Sequence, residues 1–551
     1  MPNIDVSLSD LKKMVRPKMP IDLEKLEPYI WMVKSEIDGI EGDTLTIKVG
    51  DTNRPDLWCV EGLVRELRGA FDVEKGLKDY KLKECDYRIF VNQKLEKIRP
   101  YIACVVVKNV RLTDQIIKQI MQQQDKIDGT YGRKRAKTSI GLYDFDLLAW
   151  PLKYGITKPD ENAFVPLTFT EKLTPKQILE KHPKGLEYQH LLKGQQFYPI
   201  FTDAKGKVLS MPPIINSNDL GQVNEKTTNV LVEVTGTDYE TVNNVLRIMA
   251  MTFADRGGEL YSVIIDYPQR KPDVTPQFAT RHFEIKVEDV AKLLGENLSA
   301  EDIVKALQRA RYNASEEKKL IHVTIPSYRT DVMHVVDIYE DIAIFHGLDK
   351  FRPEIAGLPT VGRLSDAEKL SRKVRELCIG TRAQEIMSFV LANQEYIFGN
   401  MNLPADRIIE IANPVSFTYS AMRNWLFPSL MEFLSKNTTK EFPQKIFEVG
   451  DIVVPNLKSE VGSDTIHKLA FAVSDTNANF TDAKQALQAV ANGLGWKIIF
   501  VEHEHPSFIA GRCAAVMKDG KQIGIAGEVH PKVLKNWGLE MPTVGFEISL
   551  T

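Results

Sequence analysis

The sequence predicts an α+β protein of several domains, mixed α/β in its first two, helix-rich in a small third, and built of helices and strands in its last. Three observations carry this. A chain of 551 residues, at about 150 per domain, makes three or four units that each bury a core. Apolar spacing switches repeatedly between the helical period of 3.6 and the strand period of 2. Turn-marked breaks at Thr275-Pro276 and Pro353 divide the chain, so the expected domains are 1–85, 86–270, 271–350 and 351–551.

In the first domain a helix is expected over 57–68. Leu57, Val60, Leu63, Val64 and Leu67 recur at helical spacing, Gly69 stands at the C-terminal stop, and Asn53, Arg54, Pro55 and Asp56 form the turn that feeds it. In the second, the runs at 102–107 and 229–234 read as strands between Pro- and Gly-marked turns. Between the apolar run 208–215 and the strand at Val230 lies a polar loop, Asn216, Ser217, Asn218, Asp219, Leu220 and Gly221. Such loops carry sites, and the same residues suit any turn. The third domain reads as helix, helix, strand, helix, ending at Gly347. The last combines helical patterns at 365–377 and 482–494 with strands at 446–449, 468–473 and 544–548.

Apolar content of 43%, charged content of 26% and a formal charge of −3 exclude a global basic field. Contact with nucleic acid must therefore be local, and the densest basic cluster is Arg133, Lys134, Arg135 and Lys137, just before Ser139. Five scattered cysteines without a Cys-x-x-Cys pair suit reduced thiols. The polar N-terminus lacks a signal-peptide pattern and the apolar runs are too short to span a bilayer, so a cytoplasmic protein with no membrane partner is expected.

Four carboxylates gather in residues 326–341: Asp331, Asp337, Glu340 and Asp341. On a helix the last three fall within roughly a third of the circumference, and Asp331 precedes the helix start. Crowded like charges are relieved by protonation, solvation or a cation, and an all-oxygen set suits Mg²⁺ or Ca²⁺. An acidic outer face on an apolar helix is also what plain solvation produces.

Taken together, residues 51–69, 129–144, 211–218, 232–238, 326–349 and 413–423 resemble the β subunit of phenylalanyl-tRNA synthetase in its shorter archaeal and eukaryotic cytosolic form, over essentially the whole chain. The resemblance implies a tRNA-editing-like domain over 86–270 and a small Mg²⁺-binding module with a DNA-binding-like fold over 271–350. It further implies a class II synthetase-like antiparallel sheet domain over 351–551. Asp331, Asp337, Glu340 and Asp341 fall on the family's Mg²⁺ ligands, Asp341 standing where relatives often carry Glu, one methylene longer.

A class II site clamps ATP with arginines, one of them just after a final Gly-Phe-Glu strand motif. Here Ile548 follows Gly545-Phe546-Glu547 and no arginine occurs after Arg512, so this domain is expected to be catalytically inactive and to pair with an α subunit that binds ATP and phenylalanine in an α2β2 heterotetramer. The chemistry expected of this chain is hydrolytic editing of Tyr-tRNA(Phe), because a pocket for phenylalanine excludes tyrosine poorly. Asp219, Asn218 and Asn216 are the expected editing residues, and Arg133, Lys134, Arg135 and Ser139 the expected contacts to tRNA(Phe). The alternatives are a noncatalytic RNA-binding or assembly protein and a free-standing editing hydrolase. His503-Glu504-His505 lacks the helical spacing of a zinc motif.

Overall fold

The structure, a computed structural model, describes residues 2–15, 22–268, 270–358 and 360–550. They form two compact units, one running to Glu354 and the other starting at Ile355.

The first unit holds three sheets. The N-terminal one pairs Asn3–Ser7 and Ser35–Glu41 on either side of Thr44–Val49. The helix expected over 57–68 is instead a single 3-10 turn, Pro55–Leu57, followed by an α-helix, Val60–Ala70. The break has a local cause: Cys59 is extended and its Sγ caps the new helix by accepting from the Gly62 amide. Gly69 lies inside the helix, where a Cβ would collide with the Arg309 carbonyl, so close approach rather than termination requires glycine there.

The large sheet has ten strands. Nine follow in the order Ile215–Asn216, Val208–Met211, Tyr198–Thr202, Leu152–Thr157, Leu82–Val91, Glu259–Asp266, Tyr101–Lys108, Val230–Gly236, Thr138–Asp144, and Asp273–Thr275 pairs with Glu259–Asp266. Its two ends curl together: Asn216 Nδ2 donates to the Leu142 carbonyl at 3.3 Å, and the Ser210 and Tyr143 hydroxyls are hydrogen-bonded at 2.8 Å. The expected strands at 102–107 and 229–234 are its centre. Val230–Gly236 is buried on both faces, Val232 and Val234 among the residues packed with the Tyr239–Asp255 helix, and Leu231 in the core on the other side.

The third sheet pairs Arg281–Lys286 and Asn313–Glu317 with Leu320–Ile325, beside helices Val287–Leu294, Ala300–Arg309 and Val335–His346. Two of these three strands are additions to the expected helix, helix, strand, helix. Arg281–Lys286 offers only Phe283 and Ile285 as apolar alternates, and Asn313–Glu317 is polar and largely exposed, so neither carries a strand's hydrophobic signal.

The second unit is built on a seven-stranded, mainly antiparallel sheet ordered Gln384–Glu385, Gln444–Pro455, Ser463–Ser474, Thr543–Ser549, Lys521–Val529, Phe508–Lys518, Ile498–Glu502. Helices Asp366–Gly380 and Phe480–Leu494 contribute to one core, and Phe427–Ser435 and Pro531–Trp537 to another. Both expected long helices lie here, N-capped by Ser365 and Asn479. No helix among the described residues is long and apolar enough to cross a membrane.

Candidate functional site

Where the ends of the large sheet meet, they enclose a cavity of about 660 Å³ against the Asp114–Gly129 helix, within the size range of small-molecule sites. Its wall is mostly apolar, with Ile120, Leu142, Ile214 and Phe253 among the lining residues. Polar side chains are set among them, including Arg135, Ser139, Ser210, Asn216, Asn218 and Glu233.

Glu233 is 3% exposed, the one charged residue of the strand Val230–Gly236, flanked by Val232 and Val234. Its Oε2 accepts from Tyr143 Oη at 2.8 Å, and its Oε1 has no hydrogen-bond partner among the described residues. Burial pushes this carboxyl up to about 7, against the opposing pull of the Tyr143 and Thr235 hydroxyls and the Arg99 guanidinium. Gly141 makes the pairing possible, since a Cβ there would sit 2.5 Å from Glu233 Oε2 and from Tyr143 Oη.

Arg99 organises the basic end of the cavity. Its guanidinium donates to Thr235 Oγ1 at 3.1 Å, the Thr235 carbonyl at 2.7 Å, Ser139 Oγ at 3.1 Å and the Arg135 carbonyl at 3.0 Å. The segment after the helix then makes a left-handed turn: Arg133, Lys134 and Arg135 have φ of 50°, 51° and 66°. Each such non-glycine residue costs roughly 1–2 kcal/mol, so the surroundings must hold the turn. They do so through Arg135 N to the Asp128 carbonyl at 3.0 Å and Lys137 N to the Gly132 carbonyl at 2.9 Å. Arg135 Nη1 also donates to the Pro213 and Ile214 carbonyls at 3.1 and 2.9 Å, tying the turn to the opposite end of the sheet. Below it, burial pushes the Asp128 carboxyl up to about 7, although Arg135 Nε lies 3.4 Å away.

Of the residues expected from sequence, Asn216, Asn218, Arg135 and Ser139 line this cavity. Asp219 does not: it is exposed, on the outside of a loop whose inner side is fixed by Ser217 Oγ accepting from the Leu220 amide. Arg133 and Lys134 are exposed on the left-handed turn rather than in the cavity. Glu233, Tyr143, Ser210 and Arg99 were not anticipated. A single carboxylate in the centre of a Val-Leu-Val-x-Val strand is the signal that points to Glu233.

The four carboxylates of residues 326–341 face different partners. Asp331 is gripped by Arg329, Nε to Oδ1 at 2.9 Å and Nη2 to Oδ2 at 2.7 Å, with Arg54 Nε 3.7 Å away; these cations hold its carboxyl well below the usual range despite its burial. Asp341 Oδ2 accepts from Arg329 Nη2 and Tyr312 Oη, both at 2.6 Å. Asp337 Oδ2 accepts the Met333 and His334 amides at 2.7 Å each, closing the N-terminus of Val335–His346. Glu340 is the outermost and pairs with Lys34 at 3.1 Å. Among the described residues no three His, Cys, Asp or Glu side chains are grouped to hold a metal ion. As a set of four, these oxygens do not fit one Mg²⁺, because two of the carboxylates are already neutralised by guanidinium groups.

In the second unit, Glu547 is buried, its Oε2 accepting the Leu426 and Phe427 amides at 2.8 Å each and its Oε1 lying 2.8 Å from Lys468 Nζ. Arg423 is likewise committed, to Glu448 at 2.9 Å and to the Asp451 carbonyl at 2.9 Å.

Residues 354–550 match the family described as the phenylalanyl tRNA synthetase beta chain CLM domain, and residues 283–348 match the tRNA synthetase B5 domain. The phenylalanine–tRNA ligase beta subunit of Pyrococcus abyssi is 41% identical over 554 residues, covering 100% of this chain and 99% of that relative. The same subunit of Methanocaldococcus jannaschii is 38% identical over 561 residues and is covered in full. Among solved structures, an N-terminal fragment of the phenylalanyl-tRNA synthetase beta-subunit from Pyrococcus horikoshii superposes with a TM-score of 0.61 at 37% identity, over 63% of this chain and 100% of the fragment. Two matched domains, in order, within near-full-length identity of about 40% leave one conclusion: the chain belongs to the family of phenylalanine–tRNA ligase β subunits.

Proposed function

We propose that this chain supplies the editing half of phenylalanine–tRNA ligase, hydrolysing Tyr-tRNA(Phe) in the cavity around Glu233 while an α subunit binds ATP and phenylalanine and forms Phe-tRNA(Phe). The carrying observation is the unpartnered Oε1 of Glu233 inside an apolar cavity. A tyrosyl hydroxyl donates to that oxygen; a phenylalanyl ring cannot, and leaves a buried acceptor unpaired. Selection thus falls on the residue that the synthetic site admits by mistake.

In the hydrolysis, water adds across the aminoacyl ester, releasing tyrosine and the free tRNA hydroxyl. Ser139, Asn216 and Asn218 are the polar groups placed to orient that water and the ester carbonyl. Arg135 at the cavity, with Arg133, Lys134 and Lys137 on the adjoining turn, supplies positive charge for the tRNA backbone. No step is assigned to Mg²⁺.

On this reading residues 86–270 are the editing domain, 271–350 a structural module, and 351–551 a class II-like domain without catalysis that docks on the α subunit in an α2β2 assembly in the cytoplasm. Exposed Phe389, Val415 and Phe417, at 72%, 109% and 87%, support such a docking face, and Phe389 also packs edge-on against Tyr419.

The test is Glu233→Ala in the copurified αβ complex, assayed on Tyr-tRNA(Phe). A loss of roughly 10- to 100-fold in hydrolysis is expected from removing a buried charged acceptor. Hydrolysis at the unmodified rate would refute the assignment.

A further inference from the structure

Beside the left-handed turn the surface carries a second group of side chains that the cavity does not use. Arg270 lies with its guanidinium carbon 3.6 Å from the ring centroid of Tyr267, 5.0 Å from that of Tyr239 and 5.6 Å from that of Tyr101. Tyr101 and Tyr239 meet edge to face at 5.5 Å. Asp273 fixes the edges of the cluster: its Oδ2 accepts from Arg270 Nη2 at 2.8 Å and from Tyr239 Oη at 3.2 Å. Held by their edges, Tyr239 and Arg270 remain 38% and 37% exposed.

The cluster is joined to the cavity. Thr237 donates its amide to the Lys137 carbonyl at 2.9 Å and its hydroxyl to the Ala136 carbonyl at 3.1 Å. Tyr239 follows two residues later, at most about 7 Å of chain away. Lys137 itself reaches Asp238, the cap of the Tyr239–Asp255 helix, at 3.9 Å. From the cavity outward, one therefore meets Arg135 and Ser139, then Lys137, then a tyrosine–arginine surface. Cations that meet phosphates, followed by flat faces that meet bases, are the two elements of single-strand recognition.

We propose that Tyr239 and Arg270, supported by Tyr101 and Tyr267, form a stacking platform for an unpaired base of a single-stranded RNA end whose terminal residue enters the Glu233 cavity. The inference rests on the editing reading for the identity of that end, and deepens it by naming where the strand is gripped. Lys137 and the exposed Arg133 and Lys134 flank the platform with the charge an RNA backbone requires, and that charge favours an RNA strand over a protein partner.

Two measurements test it. In the copurified αβ complex, Tyr239→Ala and Arg270→Ala should each raise KM for Tyr-tRNA(Phe) hydrolysis by roughly tenfold, the size of one lost stacking contact, with kcat near the unmodified value. Tyr239→Phe, which keeps the ring, should restore KM. Separately, fluorescence anisotropy of a short oligoribonucleotide ending in CCA should show the same weakening of binding. Unaltered KM and unaltered oligonucleotide affinity in both alanine variants would overturn the platform. Loss of copurification with the α subunit at unaltered oligonucleotide affinity would overturn it too, in favour of a protein contact. If the unmodified complex hydrolyses no Tyr-tRNA(Phe) but the alanine variants bind the oligonucleotide less tightly, the platform stands and the editing reading falls.

Discussion

Glu233 is a costly side chain to bury, one carboxyl among valines and leucine. A carboxyl that ionises near 7 when folded and near 4.5 in a free chain holds its proton longer in the folded state. Between those two pH values the unfolded chain has already released that proton, so the folded state loses stability as pH rises, by a total on the order of 3 kcal/mol once both forms are ionised. Glu233→Gln removes the penalty. The variant is expected to have a higher denaturation midpoint than the unmodified protein at pH 8 and no advantage at pH 4; equal midpoints at both pH values would contradict the burial cost. Residue types and the polar loop were legible in the sequence, and they gave Asn216, Asn218, Arg135 and Ser139. The cavity's central acid was not, because a buried carboxylate betrays itself only once its strand is known to be covered on both faces. That Asp219 stands outside the cavity was not legible either, since turn composition does not say which side of a turn faces inward.

At the scale of elements, the Val335–His346 helix was legible from its apolar spacing, while the partners of its acidic face came from elsewhere in the chain. Arg329 and Arg54 stand where periodicity alone suggested a cation, and Lys34 meets Glu340 from the turn just before Ser35–Glu41. These pairs fasten the small module to residues 34–74, helped by Tyr328 Oη on Glu66 at 3.1 Å and Arg311 on Glu74 at 2.9 Å. Arg329→Met would strand two buried carboxylates, and a loss of about 3–5 kcal/mol is expected. Asp337→Ala removes only a helix cap, worth about 1 kcal/mol. EDTA should leave the midpoint of the unmodified protein in place; a large drop on chelation, with Arg329→Met near neutral, would show that a metal rather than the arginine balances this cluster. Edge strands such as Asn313–Glu317 escaped the sequence for a different reason, as their backbones pair while their side chains stay in water.

For the whole molecule, the division after Glu354 falls where Ile355, Leu358 and Val361 are exposed at 101%, 74% and 95%. Apolar side chains left in water offer little that would protect the backbone from cleavage. Brief proteolysis is expected to cut between 351 and 364 and release two folded fragments of roughly two thirds and one third of the chain; resistance there, with cutting inside either unit, would refute the division. A further consequence follows from the curled sheet. The cavity wall draws on residues near 120, 140, 215 and 233, whose contacts close only when the first and last strands of the sheet have found each other. Such long-range closure is slow relative to local helix formation. The cavity is therefore completed at the end of folding, and a newly made chain carries its basic turn and its helices before it has an interior that could hold a ligand.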